Sequence, residues 1–337
     1  MDSTRYSRQK LFAPIQESGQ EKLANSSVLV VGAGALGTVI CNHLVRAGIG
    51  RVRLVDRDYV ELSNLQRQML FDEDDVKRAM PKAVAAKNKL EEMNSSVTIE
   101  AIVGNVTNEK IDGYVKDVDV VLDGTDNFST RFLLNDACFK YNIPFSYGGV
   151  VSSRGMTAFF IPDETPCLRC ITNEGAENGQ TCDTVGVISP AVDMVSSYQV
   201  TETLKYLTGN KDALRKTLKT FDVWYNNQYD MKLSNAKPEC PTCQLKEYPS
   251  LQKSAQDEET VLCGRDTVQI HQKSEMDLIQ WETRLGKIAD VKRTPFLLKA
   301  NLDEQLNFVI FKDGRVLVQG TEDRVQARAW YDRYIGS

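Results

Sequence analysis

Short apolar runs alternate with longer stretches of helical periodicity through most of the chain. The run Val28–Val31 is followed by ALGTVICNHLVRAGIG, which has the apolar spacing of a helix and ends in glycines. A second apolar run, RVRLVD, comes directly after it. Because strands that alternate with helices build parallel sheets, this segment predicts a strand–helix–strand unit.

The same alternation continues well beyond this unit. It predicts helices and strands at these residues: helices over 6–24, 81–93, 128–141 and 190–207, strands over 97–103, 118–124, 143–149 and 155–161. An antiparallel direction is open for the last strand. The predicted fold class is α/β, a Rossmann-like, largely parallel sheet with helices on both faces.

The pattern turns polar and aperiodic in QLKEYPSLQKSAQDEE, which indicates a linker. Beyond it the sequence predicts these elements: a strand over 260–270, a helix over 275–288, a strand over 296–301, a hairpin over 308–320 and a helix over 321–336. We expect a domain at 1–248, a linker at 249–260 and a small α+β module at 261–337. The module carries no chemical motif, and we interpret it as a packing or partner-docking appendage.

The composition and charge of the chain disfavour some classes of protein. The chain has 337 residues, 42% of them hydrophobic, and a net charge of -5, which disfavours general nucleic-acid binding but leaves a local basic patch open. No apolar stretch is long enough for a membrane span, and the N-terminus is polar. We therefore expect a cytoplasmic protein, in which cysteines serve more often as metal ligands or reactive thiols than in disulfides.

The turn after the first strand has G-x-G-x-x-G spacing. Gly32 permits a sharp bend, Gly34 lets a phosphate approach the backbone, and Gly37 lets the helix pack on the strand. Asp56 ends the second strand, where a carboxylate suits two ribose hydroxyls. A dinucleotide, another phosphate-bearing ligand and a plain glycine turn all remain open at this point.

Two C-x-x-C knuckles stand far apart in the chain. The first knuckle is Cys167–Cys170 and the second is Cys240–Cys243. One such pair fits redox chemistry or chance, but two supply the four thiolates of a closed tetrahedral zinc site. Because a closed site has no position for substrate, we expect this zinc to be structural.

A polar segment with an arginine follows the second strand. It contains Asn64, Arg67 and Gln68, and Lys82 stands near the start of the next predicted helix. A triphosphate needs cations beside the glycine loop, whereas a dinucleotide has no evident use for them. Each of these residues alone is more often a solvated surface group, but together they indicate a nucleoside triphosphate site.

Acidic residues are present where a magnesium ion would be held, and a catalytic base is absent. Asp123 and Asp126 follow a strand in LDGTDN, where a carboxylate can bind magnesium. The chain has only two histidines, His43 and His271, and neither suits the base of a hydroxy-acid dehydrogenase. A carboxylate that attacks the α-phosphate of ATP needs no base.

The chain contains, in this order, the motifs RYSRQ, GAGALG, DRDYVELSNLQRQ, PKA, LDGTDN, PCLRC, TCDTVGVISP and CPTC. In these motifs and their order it resembles the ubiquitin-activating-enzyme-like adenylyltransferases of the ThiF/MoeB family. The resemblance spans roughly residues 5–245. It implies that the enzyme uses ATP and magnesium to adenylate the C-terminal glycine of a ubiquitin-like sulfur carrier protein of ThiS or MoaD type.

The resemblance also implies a role for each matching residue. The nucleotide would be held by these residues: Gly32, Gly34 and Gly37 in the loop, Asp56 at the ribose, Asn64, Arg67 and Lys82 at the phosphates, and Asp126 at magnesium. Arg8 would reach the ATP of a partner subunit in a homodimer. The zinc ligands would be Cys167, Cys170, Cys240 and Cys243.

The remaining cysteines differ in what they imply. Cys182 lies in a glycine-bearing loop before a helix, and in relatives this position is a thiol that captures the carrier, essential in some and dispensable in others. Its alternative is an incidental loop cysteine. Cys41 and Cys138 fall in predicted helices and are expected in the core. Cys263 lies in a module without the loop of a rhodanese domain, so sulfur would come from a separate protein.

We therefore expect a homodimeric enzyme that serves thiamin or molybdopterin biosynthesis. The sequence does not choose between the two carriers or identify the sulfur donor. Relatives that adenylate a peptide or a transfer RNA are alternatives within the family. An NAD-dependent oxidoreductase and a non-catalytic partner-binding protein are alternatives outside it.

Overall fold

A computed structural model describes residues 4–172, 185–233, 235–252, 259–262, 266–272, 274–303 and 306–336. The chain divides into two compact units. The first contains Met1–Val76 and Pro81–Ser254, and the second contains Lys77–Met80 and Ala255–Ser337. The division after Ser254 lies inside the segment predicted as a linker. The roles expected for the two units stay predictions.

Ten α-helices begin in the first unit among its described residues, and the longest, Ser189–Thr208, has 20 residues. They are α1 Ser7–Lys10, α2 Gln16–Ala24, α3 Ala35–Ala47, α4 Glu73–Lys77, α5 Lys82–Met93, α6 Ile111–Val115, α7 Phe128–Lys140, α8 Leu168–Ile171, α9 Ser189–Thr208 and α10 Pro249–Gln252. Short 3-10 helices lie at Leu62–Asn64 and Lys211–Ala213.

Eight strands of this unit form one sheet. They are β1 Ser27–Val31, β2 Arg51–Asp56, β3 Thr98–Val103, β4 Val120–Asp123, β5 Phe145–Val151, β6 Arg154–Phe160, β7 Thr217–Asp222 and β8 Asn227–Lys232. The order is β3-β2-β1-β4-β5-β6-β7-β8. The pairs from β3 to β5 are parallel, and those from β5 to β8 are antiparallel. The α/β fold class and the antiparallel sixth strand are confirmed.

Burial explains why β1 and β4 lie at the centre of this sheet. Val28–Val31 and Val120–Asp123 are buried along their whole length, as expected for strands covered by helices on both faces. The helix α3, which follows β1, buries most of its residues and ends at Gly48 in the left-handed conformation, with φ 82°. Glycine adopts this conformation without strain, and it closes the helix.

The described residues of the second unit form an antiparallel sheet and two helices. The strands are β9 Glu259–Leu262, β10 Thr267–His271, β11 Asp290–Arg293, β12 Leu297–Asn301, β13 Asn307–Phe311 and β14 Arg315–Gln319. Their order is β11-β12-β13-β14-β10-β9. The helices are α11 Leu278–Leu285 and α12 Arg324–Tyr334, and they contribute buried residues to the core of this unit.

Several predicted elements need correction. The single strand expected over 260–270 is wrong, because β9 and β10 pair there as two antiparallel strands. The helix expected over 6–24 is interrupted between Lys10 and Gln16. The strands β7, β8 and β11 were not predicted. In β8 every residue is exposed, so the apolar alternation that signals a strand is missing.

Among the described residues, no helix is both long and apolar enough to cross a membrane.

Candidate nucleotide site and cysteine cluster

The centre of the parallel sheet is a point where strand order reverses, and open α/β sheets bind ligands there. The chain leaves β1 at Gly32 and β4 at Gly124. A Cβ on Gly32 would lie 2.5 Å from the Gly124 carbonyl oxygen, and one on Gly124 would lie 2.6 Å from that of Gly32. The two backbones therefore touch, and neither position accommodates a side chain.

The other two glycines of the loop have different surroundings. A Cβ on Gly37 would lie 1.7 Å from the Gly32 carbonyl oxygen, so the start of α3 packs directly on the loop. A Cβ on Gly34 would meet no heavy atom of the described residues within 4 Å. The backbone at Gly34 thus faces open space at the N-terminus of α3, where free N–H groups favour an anion.

The carboxylate of Asp56 fastens the end of β2 to this loop. Its two oxygens accept hydrogen bonds from the backbone N–H of Ala33, at 2.6 Å, and of Asp58, at 2.7 Å. Burial raises the pKa of Asp56 above its usual value, and the positive charge of Lys82 opposes that rise. Asp56 is thus placed beside the glycine loop, as expected for a ribose-binding acid.

Lys82 is brought to the same edge by a backbone contact. It begins α5, and its N–H donates to the Asp58 carbonyl oxygen at 2.9 Å. Its Nζ lies 3.5 Å from Asp58 Oδ2, and its side chain is 4% exposed. A buried ammonium group near the glycine loop is suited to a phosphate.

Asn64 ends a short 3-10 helix, Leu62–Asn64, and Arg67 and Gln68 lie in the turn that follows it. Asn64 Oδ1 accepts from the Glu61 N–H at 3.1 Å, and Arg67 Nη1 donates to the Ser63 carbonyl oxygen at 3.0 Å. Gln68 is 3% exposed, and its Oε1 accepts no hydrogen bond from any described residue. A buried acceptor without a donor indicates a missing ligand or water. The sequence placed Gln68 in the polar segment that indicates a triphosphate site, and the structure adds that its acceptor is buried and unpaired.

The two acids of LDGTDN lie in different environments, one buried and one exposed. Asp123 is fully buried and accepts from the N–H and hydroxyl of Thr125, at 2.9 and 2.7 Å, and from Arg131 Nε at 3.1 Å. Burial raises the pKa of Asp123, and Arg131 opposes that rise. Asp126 is exposed, and Asn127 Nδ2 donates to it at 3.4 Å. Of these two acids, Asp126 is therefore the one whose carboxylate faces solvent.

Two buried side chains that the sequence did not single out hold this acidic loop in place. Arg131 Nη2 donates to the Thr125 carbonyl oxygen at 2.8 Å, and the guanidinium lies 5.6 Å from the Tyr147 ring centroid. Gln199 Nε2 donates to the carbonyl oxygens of Asp123, at 2.9 Å, and Ser146, at 3.0 Å. These contacts join residues distant in sequence, and no local pattern signals them.

Arg8 is not brought to the glycine loop of its own chain. It is exposed on α1, and its neighbour Gln9 donates to the Ala47 carbonyl oxygen at 2.9 Å. Ala47 ends the 13-residue helix α3, whose other end adjoins the glycine loop. At 1.5 Å per residue, the two ends of that helix are about 20 Å apart. This distance exceeds the reach of an arginine side chain.

The two knuckles come together as the spacing predicted. The four sulfur atoms of Cys167, Cys170, Cys240 and Cys243 all lie within 4.8 Å of one another, and the four cysteines are free thiols. Two sulfur atoms that bind one zinc ion tetrahedrally are about 3.8 Å apart. The hydrogen bond from Cys167 lowers the pKa of Cys243 to about 5. The donor set and its size fit zinc.

The other cysteines are divided by burial. Cys41 and Cys138 are fully buried in α3 and α7, and burial raises the pKa of Cys41 to about 12. The expectation that both belong to the core is confirmed. Cys182 and Cys263 lie outside the described residues.

The fold and the glycine loop define an α/β protein of nucleotide-binding type that carries a four-cysteine cluster. The ThiF family model matches residues 6–242, and the chain belongs to that family. The enzymes of this family are ATP-using adenylyltransferases.

Individual relatives differ in how much of the chain they match. The sulfur carrier protein ThiS adenylyltransferase of Bacillus subtilis is 44% identical over 98% of this chain and 99% of its own length. The Escherichia coli enzyme of the same name is 37% identical over 72% of this chain and 95% of its own. The adenylyltransferase and sulfurtransferase MOCS3 of Anopheles gambiae is 37% identical over 74% of this chain, which spans 56% of that protein. The second unit is thus shared with the first relative.

Solved structures support the fold. The crystal structure of Escherichia coli MccB with ATP has a TM-score of 0.62 and 23% identity, and the match covers 71% of this chain and 74% of MccB. Likeness at this identity concerns the fold alone.

Replacing Gly34 with alanine should impair ATP binding, whereas replacing Gly37 with alanine should impair stability. Gly34 has a φ of -84° and open space around it, so Gly34→Ala should change the free energy of unfolding by less than about 1 kcal/mol but reduce stabilisation by ATP. Gly37→Ala should lose roughly 3 kcal/mol or more through its clash with a backbone carbonyl. Thermal unfolding with and without ATP measures both. Full stabilisation of Gly34→Ala by ATP would contradict the role of the loop.

Purified protein should contain about one zinc ion per chain, because the four thiolates form one closed site. Removing the metal with a chelator should lower the midpoint and the cooperativity of unfolding, since metal binding contributes free energy to folding. Cys170→Ser should lose zinc, whereas Cys41→Ala, which removes a buried thiol outside the cluster, should keep it. Metal analysis and calorimetry test this, and a zinc-free preparation of full stability would refute it.

Proposed function

We propose that this enzyme uses ATP and magnesium to adenylate the C-terminal carboxylate of a ubiquitin-like sulfur carrier protein of ThiS type. The observation that carries the proposal is the 44% identity to a ThiS adenylyltransferase over nearly the full length of both chains. The geometry agrees with it, because the glycine loop, Asp56, Lys82 and Asp126 all belong to segments that leave the same edge of the sheet.

The residues of that edge have distinct tasks in the proposed reaction. The N–H groups at the start of α3 bind phosphate next to Gly34, and Asp56 binds the ribose. Lys82 and Arg67 bind the phosphates, with Asn64 beside them. Asp126 would hold magnesium, which would offset the charge that develops on the departing pyrophosphate.

The chemistry requires alignment more than proton transfer. The carrier's carboxylate is already an anion. One of its oxygens attacks the α-phosphate of ATP, so a bond forms between that oxygen and the α-phosphorus while the bond from the α-phosphate to pyrophosphate breaks. His43 lies in α3 and His271 in β10 of the second unit. Neither histidine is needed, because no group has to be deprotonated before attack.

ATP–pyrophosphate exchange tests the proposed reaction directly. Exchange should depend on a carrier that ends in Gly-Gly, and mass spectrometry should find AMP added to that terminus. A ThiS-type carrier should support exchange better than a MoaD-type carrier. The opposite preference would redirect the proposal to molybdopterin biosynthesis. Exchange with a short peptide instead, or stabilisation by NAD but not ATP, would favour the alternatives.

We infer further that the enzyme is a homodimer and that Arg8 acts on the ATP of the partner subunit. The distance of Arg8 from its own glycine loop supports this assignment. Leu11 and Phe12, just after α1, are 73% and 58% exposed, and exposed apolar residues beside such an arginine are suited to a subunit contact. A separate sulfur donor and a cytoplasmic location remain predictions.

Mixing two inactive variants tests the role of Arg8 in the partner's site. Arg8→Ala and Asp126→Ala should each abolish turnover with little loss of stability, since an arginine supplied by a partner subunit contributes roughly a thousandfold or more in related phosphoryl chemistry. Heterodimers contain one site with both residues intact, so mixing should restore at most about half the activity per dimer. Steady-state turnover after demonstrated subunit exchange measures this. Arg5→Ala, on the same segment, serves as the control and should stay active.

The two steps assigned to adenylation and thiol capture should separate in Cys182→Ala. We expect carrier-dependent pyrophosphate exchange to persist, because adenylation uses other groups, and any thiol-sensitive adduct with the carrier to disappear. Exchange assays and denaturing electrophoresis with and without a reducing agent measure the two steps. Loss of exchange in a folded variant would oppose this division of roles.

A further inference from the structure

One buried carboxylate lies between the two cysteine knuckles. Asp136 belongs to α7 and is 0% exposed. Its Oδ1 accepts from Arg169 Nε at 3.0 Å and from the Thr242 hydroxyl, and its Oδ2 accepts from Arg169 Nη2 at 2.9 Å and from the Ser250 N–H at 2.8 Å. Both oxygens are engaged, so Asp136 is not available as a metal ligand.

The donors to Asp136 come from both halves of the cluster. Arg169 lies within the first knuckle, directly before its second cysteine, and Thr242 occupies the same place in the second knuckle. Ser250 belongs to α10, the segment that follows the second knuckle. A single carboxylate of α7 therefore joins the first knuckle to the second knuckle and the short helix that follows it, and the two knuckles supply all four sulfur atoms.

The first knuckle is attached to α7 by further contacts. Asn135 Oδ1 accepts from the Leu168 N–H at 2.9 Å, and the Arg169 guanidinium lies 4.6 Å from the Phe132 ring centroid. Arg169 Nη2 also donates to the Ser250 hydroxyl at 2.6 Å. These contacts fix the orientation of Arg169, so its bidentate pair with Asp136 fixes the knuckle relative to the helix.

Charge alone does not explain a carboxylate at this place. Four thiolates around one zinc ion carry a net negative charge, which repels a second anion nearby. A buried ion pair is also rarely more stabilising than apolar residues of the same volume. Asp136 instead fixes the position of the two knuckles relative to each other, because its two oxygens accept hydrogen bonds from donors of both knuckles at once.

We propose that Asp136 is a positioning residue that pre-organises the two knuckles for metal binding and thereby sets the affinity of the cluster for zinc. Without it, the knuckles must be ordered when the metal binds, and that cost reduces affinity. Groups that orient metal ligands commonly affect affinity by about 10–100-fold. The proposal concerns the cluster and is independent of the adenylation reaction.

The experiment compares Asp136→Asn with two controls in the full-length, zinc-loaded protein. Asp136→Asn keeps the size of the side chain but replaces one acceptor oxygen with a donor. Its zinc affinity, measured by competition with a chromophoric chelator, should fall about 10–100-fold, while one zinc ion still binds at saturation. Asp112→Asn removes a partly exposed charge of α6 that pairs with Lys140 of α7 at 3.5 Å, and it should retain wild-type affinity.

The second control separates positioning from loss of stability. Leu44→Ala truncates a fully buried side chain of α3, outside the core cluster that contains the cysteines. At a comparable drop in melting temperature, Asp136→Asn should lose much more zinc affinity than Leu44→Ala. Equal losses in the two variants would overturn the proposal, because they would assign Asp136 to general stability.

A milder variant keeps the test decisive if Asp136→Asn does not fold. Thr242→Val removes only the hydroxyl that joins the second knuckle to Asp136, and it should weaken zinc binding several-fold. Where both variants fold, combining them should cost less affinity than the sum of the two single losses, since both break one network. Unchanged affinity in Thr242→Val, or fully additive losses, would refute the positioning role.

Discussion

The contact between two backbone turns at the centre of the parallel sheet is the constraint on which the rest of the site depends. Gly32 leaves β1 and Gly124 leaves β4, and each lies where any Cβ would strike the other's carbonyl oxygen. Because the turns touch, the start of α3 and the acidic loop before α7 emerge side by side. Open space at Gly34 and an exposed carboxylate at Asp126 then share one edge, which is what a nucleotide with its metal ion requires.

Helix α7 connects this edge to the cysteine cluster. Its N-terminal end directly follows Asp126, and Arg131 on its second turn fixes the preceding loop through Asp123 and Thr125. Asp136, further along the same helix, binds both knuckles. A helix is stiff over this length, so the two sites are parts of one rigid frame. The cysteine cluster is thus anchored to the helix that begins at the nucleotide edge.

Much of the site could be predicted because its signals are local. The spacing of Gly32, Gly34 and Gly37 reflects backbone constraints within one turn, and the spacing of each cysteine knuckle reflects the reach of two thiolates to one ion. The exposed strand β8 escaped prediction because all its side chains face solvent, so its only strand signal is the backbone pairing with β7. The antiparallel strands β9 and β10 were likewise expected as a single strand, because both are short and lie close together in the sequence.

By itself, the sequence determined the α/β class, the order of the central elements, the glycine loop and the two cysteine knuckles, since each of these signals is local. Only the tertiary structure decided that Asp123 is buried against Arg131 while Asp126 faces outward, that Gln68 keeps an unpaired buried acceptor, and that Arg8 is remote from its own loop. Asp136 shows the reason most clearly. Its proposed role depends on hydrogen bonds from Arg169, Thr242 and Ser250. Folding brings these residues together, and no local sequence pattern predicts their contact with Asp136.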